Sequence, residues 1–189
     1  IGVMTAKDDA AQMSQGAGMT FRNNIEWLAG NYNEARMGSS IFSYLMGYED
    51  PRLNVYFLPM DGNASYGVEA FNGKTYQAVP AGHANAQNDI YKSCSKPNIQ
   101  SGTPTYWLRA SEVYFLRAEA ALVWEGFGSA DSWYKQGIDM SFQENGVTEP
   151  VDDYMNSNLS PRAYVLSHYQ YGQTLSAPCE TTVKFEGTT

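Results

Sequence analysis

Histidine, cysteine and basic side chains are all scarce in this 189-residue chain, and each scarcity removes a class of function. Only two His occur. His83 lies in a Gly- and Asn-rich stretch, His168 is far off in sequence, and neither has a ligand at metal spacing. The aspartates Asp8, Asp9, Asp61, Asp89, Asp152 and Asp153 do not follow an EF-hand pattern, so no metal and no other cofactor is expected. Twelve Lys and Arg face twenty Asp and Glu, a formal net charge of −8, which argues against nucleic acid or an anionic membrane surface as partner. No stretch approaches 18 apolar residues, so none reads as a membrane-spanning helix. The opening IGVMTAKDD carries neither a signal peptide nor a lipidation cysteine. Catalytic signatures are missing as well: there is no GxSxG elbow, no Gly-rich phosphate loop after a strand, and no His placed as a base. Cys94 and Cys179 form no CxxC, and their spacing leaves both a disulfide and two thiols open.

What the chain does have is aromatic surface. Aromatics make up 14% of it, with fourteen Tyr, against 17% charged residues. The longest clean pattern is Tyr106 to Trp124, nineteen residues without Gly or Pro, bounded by Pro104 before and by Gly126 and Gly128 after. Val113, Leu116, Ala120 and Val123, flanked by Tyr114, Ala118 and Ala121, predict a broad apolar stripe. A second amphipathic helix is predicted over Ala130, Trp133, Tyr134, Gly137, Ile138, Ser141 and Phe142, with Ser129 as N-cap. The short Gly-containing link makes residues 104–145 a core helical hairpin. No second copy occurs at a fixed period, so an internal repeat is not supported.

Shorter helices are expected around Ile25, Trp27 and Leu28, over Ile41, Phe42, Leu45 and Met46 (capped by Ser39 or Ser40, stopped by Gly47), and at residues 152–156. Asp50-Pro51-Arg52 forces a turn, after which LNVYFL reads as a short strand. Residues 53–103 read as a loop-rich insertion, longer than a compact domain ordinarily carries, and too aromatic for disorder. Within it Tyr66, Phe71, Tyr76 and Tyr91 stand among Asn72, Asn88 and Asp89. Flat rings beside amides and carboxylates match the two faces of a sugar, whose C–H patches stack while its hydroxyls hydrogen-bond. The competing reading is that these rings peg a long loop to the helices. Glu112 and Glu119, seven apart on the main helix, read as a salt-bridged face meeting Arg36 or Arg52 rather than as an acid/base pair.

Four stretches in order carry a family resemblance: EARMGSS at 34–40, YEDPRL at 48–53, RASEVYFLRAEAAL at 109–122 and SWYKQGIDMSF at 132–142. They resemble segments of the SusD/RagB family, the surface nutrient-binding lipoproteins of Bacteroidetes. The resemblance implies a mainly α fold of tetratricopeptide-like helix pairs with long irregular loops forming the ligand face. It implies a non-enzymatic protein at the outer membrane, on the cell surface, binding oligosaccharide or another nutrient such as peptide. It further implies a TonB-dependent, SusC-like transporter as partner and a lipid anchor that this chain does not contain. Family members are more than twice this length, so residues 1–189 read as a single domain or as the C-terminal part of a longer protein. No ligand residue transfers by motif; Arg36, Asp50, Arg52, Arg109, Glu112 and Glu119 read as structural. Two other classes stay in view: a helical scaffold for a protein partner, and, less favoured, a glycoside hydrolase.

Overall fold

The computed structural model describes residues 2–16, 21–60, 69–80, 82, 91–167 and 172–187. The chain divides into two compact units, residues 1–21, 104–158 and 183–189 in the first and residues 22–103 and 159–182 in the second. Helix outweighs strand in both, with three two-stranded ribbons among the described residues.

The first unit is built on a hairpin of α4 (Ala110–Val123) and α5 (Ala130–Glu144). Ser129 caps α5 by accepting a hydrogen bond from the Ser132 amide at 3.3 Å. Helix α4 starts four residues later than the sequence pattern predicts, because Thr105–Leu108 is a strand, β4, paired antiparallel with β1 (Ala11–Met13). Tyr106 and Trp107 favour a pleated ribbon once a partner strand exists, and that partner lies more than ninety residues earlier. The buried seam of α4 is also rotated from the expected stripe. Leu116 and Val123 are 56% and 63% exposed; of the expected stripe Ala118 and Ala120 are buried, joined by Ser111, with Phe115 between Ser111 and Ala118. The cause is size matching: a Cβ on Gly137 of α5 would come within 2.7 Å of the Phe115 ring, so the helices meet large against absent side chain. Arg117 lies 3.7 Å over the Trp133 ring beside this contact. The face predicted for α5 is realised, with Gly137, Ile138, Ser141 and Phe142 buried. A short helix, α6 (Val151–Met155), follows the hairpin and packs Tyr154 on Phe142 at 5.2 Å between ring centroids.

The second unit holds α1 (Asn24–Gly30), α2 (Ser39–Gly47), α3 (Leu53–Tyr56), the hairpin of β2 (Glu69–Phe71) and β3 (Lys74–Tyr76), and the ribbon of β5 (Tyr164–Leu166) and β6 (Gln173–Leu175). Gly38, not Ser39 or Ser40, takes the N-cap position of α2, and Ser39 is buried in its first turn. Residues 53–56 are helical rather than extended. The Asp50 carboxylate accepts from the Arg52 amide at 2.9 Å and so starts the turn that α3 continues. Phe42, Tyr76 and Tyr164 anchor the core together with Met37, Leu53 and Leu166.

The described residues of the stretch 53–103 are therefore less irregular than its composition suggests. Asn72 and Gly73, at φ +48° and +73°, make the two-residue turn of the β2–β3 hairpin. Scattered backbone bonds hold other described parts of it: Met37 N to Ser95 O at 2.8 Å, Ser95 N to Gln77 O at 2.9 Å, and Leu58 N to Lys96 O at 2.8 Å. These single rungs between distant segments leave no alternation in the sequence to read.

Candidate functional site

The aromatic set singled out in the loop region divides on structure. Tyr66, Asn88 and Asp89 lie outside the described residues. Phe71 and Tyr91 are half-buried and pack against the core of the second unit, and Asn72 is exposed at the hairpin turn. Tyr76 is corrected: it is 0% exposed, its ring sits in the core and its hydroxyl donates to Asn54 Oδ1. With both ring faces covered it has nothing to offer a ligand. Burial pushes the hydroxyl pKa of Tyr76 and of Tyr91 upward, as expected of rings that peg a loop. Gln77 beside them is fully buried too.

The structure instead exposes aromatics elsewhere. Trp107 is 72% exposed and Trp124 61%, with the Phe127 ring tilted against Trp124 at 5.9 Å between centroids and half exposed. In the second unit Trp27 and Tyr32 form an edge-to-face pair at 4.5 Å on the surface end of α1. Their sequence signal was the same as that of core rings, since Trp and Tyr at helix positions most often read as packing.

The family-motif residues hold backbone. Arg36 donates to the carbonyls of Ala35 at 2.8 Å, Lys92 at 3.0 Å and Tyr91 at 3.3 Å. Arg52 pairs with the 2%-exposed Asp50, Nε to Oδ1 at 2.9 Å and Nη2 to Oδ2 at 2.5 Å. Arg109 stacks 3.8 Å over Tyr106 and reaches Asn145 Oδ1 at 3.2 Å and Glu144 at 4.0 Å. The expected pairing of Glu112 and Glu119 with Arg36 or Arg52 is not found. Both carboxylates are exposed and make no ion pair among the described residues. Seven residues of helix set their Cα atoms about 10 Å apart along one exposed face. The carboxylate that serves α4 is Glu144, whose side chain is 3% exposed. It accepts from the Ser111 amide at 3.1 Å and the Ser111 hydroxyl at 2.5 Å, closing the helix N-terminus from 33 residues away. No local spacing signals such a cap.

Neither cysteine is in a disulfide. Burial pushes the Cys94 thiol up to about 12, which makes it inert. Among the described residues no group of His, Cys, Asp or Glu is placed to hold a metal ion.

One more polar cluster lies in the first unit, where a 3₁₀ turn (Lys7–Asp9) precedes β1. The Asp9 carboxylate accepts from the amides of Thr5 at 2.8 Å and Ala6 at 3.0 Å, and these bonds hold its pKa below the usual value of 3.8. A lowered folded value means that the clasp's contribution is present above the ordinary carboxylate pKa. It is lost as pH falls through the lowered one. A carbon-detected NMR titration of the Asp9 carboxyl is expected to give a midpoint below 3.8; a midpoint at or above that value would mean the clasp does not form in solution.

Comparison with known proteins gives a consistent result. The family model described as SusD-like, "Susd and RagB outer membrane lipoprotein", matches residues 1–189. A SusD-like protein from Bacteroides thetaiotaomicron is 30% identical, with a TM-score of 0.84 over 98% of this chain and 37% of that one. A chitin-binding SusD homologue from Flavobacterium johnsoniae is 27% identical, with a TM-score of 0.83 over 100% of this chain and 37% of that one. A SusD homologue from Bacteroides vulgatus is 32% identical, with a TM-score of 0.77 over 97% of this chain and 36% of that one. The chain thus spans little more than a third of the length of these solved structures. No curated protein sequence matches it.

Proposed function

The chain belongs to the SusD-like family of outer membrane lipoproteins, and from that premise we propose that it binds oligosaccharide at the cell surface for delivery to a TonB-dependent, SusC-like transporter. It catalyses no reaction in this reading. Its mature protein reaches the membrane through a lipid anchor and not through a helix of this chain. The observation that carries the reading is the likeness of all 189 residues to a chitin-binding homologue at a TM-score of 0.83. Solvent-exposed rings and the absence of a paired-acid cleft among the described residues support it.

The ligand contacts proposed are Tyr66, Asn88 and Asp89, with Asn72 at the hairpin turn and the exposed edges of Phe71 and Tyr91. Tyr76 lies in the core against which Phe71 and Tyr91 pack. The test is native affinity electrophoresis in gels containing soluble chitin derivative, β-glucan, starch or xylan. Wild type is run beside Tyr66→Ala/Asn88→Ala/Asp89→Ala. Retardation by at least one polysaccharide is expected, with affinity falling at least about tenfold in the variant, a loss of about 1.4 kcal/mol. No reducing sugar should be released. Migration unaffected by every polysaccharide would sink the reading, and retardation kept by the variant would move the contacts elsewhere. A second reading, a scaffold for a protein partner, is favoured by one observation: Leu116, Leu122, Val123 and Trp124 leave an exposed apolar face at the end of α4. Such a scaffold would ignore the loop substitutions.

A further inference from the structure

A cavity of about 460 Å³ opens in the first unit, between the 3₁₀ turn, the β1–β4 ribbon and the start of the helical hairpin. Its wall includes Lys7, Asp8, Gln12, Tyr106, Arg109 and Glu144. We propose that this cavity binds a neutral sugar ring, as a saccharide site of the first unit separate from the loop residues of the second. The inference rests on the reading of the protein as a glycan binder.

Four properties of the wall select that ligand class. Its formal charges cancel, with Lys7 and Arg109 against Asp8 and Glu144, so neither an anion nor a cation finds a net attraction. Its free groups are mixed. The side chains of Lys7, Asp8 and Gln12 are exposed and make no hydrogen bond or ion pair among the described residues. Together they offer donors and acceptors side by side, which is what hydroxyls, being both, require. One wall is an aromatic ring: Gln12 and Tyr106 are directly opposed across the ribbon, hence on one face of it, and Tyr106 stays 41% exposed. Finally the volume falls within the range of small-ligand sites.

The wall is also held in place before any ligand arrives. The Arg109 guanidinium is fixed by its stack on Tyr106 at 3.8 Å and by Asn145 at 3.2 Å, yet it carries five N–H donors and spends only some of them. The turn bearing Lys7 and Asp8 is clasped by Asp9 and tied to α4, where the Tyr114 hydroxyl donates to the Thr5 carbonyl at 3.2 Å. Groups fixed in advance lose less entropy on binding.

The experiment is isothermal titration of the full chain with chitotriose, cellotriose and maltotriose. Wild type is compared with Lys7→Ala/Asp8→Ala/Gln12→Ala and, separately, with Tyr106→Ala. All four positions are exposed, and circular dichroism checks that both variants keep the wild-type fold. At least one trisaccharide should bind wild type and bind both variants about tenfold or more weakly, the scale of losing hydrogen bonds to charged groups. Unchanged affinity in the triple variant overturns the proposal. So does wild type that binds none of the three while polysaccharide gels still retard it, an outcome that leaves the broader reading standing. If no gel retards it either, the broader reading fails and this one with it.

Discussion

Asp50→Ala is expected to cost the second unit about 3–5 kcal/mol, the usual penalty for removing one partner of a buried ion pair. The Asp50 side chain is 3% exposed and that of Arg52 15%, so solvent can do little to replace what is lost. Three donors converge on this carboxylate from one residue: the Arg52 amide and two guanidinium nitrogens. Truncation leaves a largely buried guanidinium short of its counter-charge and frees the amide that leads into α3. Urea unfolding followed by tryptophan fluorescence measures the loss. Asp50→Asn should fall between wild type and alanine, because it keeps an acceptor for the amide and gives up the charge. A cost below about 1 kcal/mol for Asp50→Ala would mean that the pair behaves as a solvent-screened surface bridge.

The second large effect is expected at Gly47, the last residue of α2. A Cβ there would stand 2.5 Å from Ser160 O, 2.6 Å from Pro161 Cα and 2.7 Å from Arg162 N. All three atoms are backbone, so no rotamer change relieves the contact. Alanine in a helix gains up to about 1 kcal/mol over glycine, whereas overpacking of this kind costs typically 1–3 kcal/mol, occasionally more. The clash should win, with a net loss of about 2 kcal/mol. Gly30 is the control. It also ends a helix, α1, and its nearest neighbour to a new Cβ is Glu26 Oε1 at 3.8 Å, so Gly30→Ala should be neutral or mildly stabilising. Loss of stability of equal size in both variants would show that the effect is one of helix ends and not of the contact with residues 160–162.

These two sites also show what the sequence could and could not convey. Asp50-Pro51-Arg52 was readable as a turn because the chemistry is local: a carboxylate two residues from the amide it accepts. The hairpin of α4 and α5 was readable for the same reason, from period, cap and punctuation. Gly47 reads in sequence as a helix stop, and only the structure shows that its missing side chain makes room for another segment. The Ser111–Glu144 cap, the β1–β4 ribbon and the rotated seam of α4 share that character. Each depends on a partner 33 to more than ninety residues away, or on the size of one facing residue. The candidate sugar contacts suffered most. A ring that stacks on a ligand and a ring that pegs a loop have the same local sequence, and Tyr76 proved to be the second kind.

The split of the second unit into residues 22–103 and 159–182 has a kinetic meaning. Tyr164 must reach the Phe42 ring, at 5.1 Å edge to face, across more than a hundred intervening residues. Nearly half of those residues belong to the first unit, whose hairpin is made of contacts close in sequence and is therefore the faster to form. Once α4 and α5 have paired, the flexible chain between Phe42 and Tyr164 is effectively shorter, and the entropy of closing that loop falls with it. Weakening the α4–α5 pairing should then slow the refolding of a core to which neither helix contributes a residue.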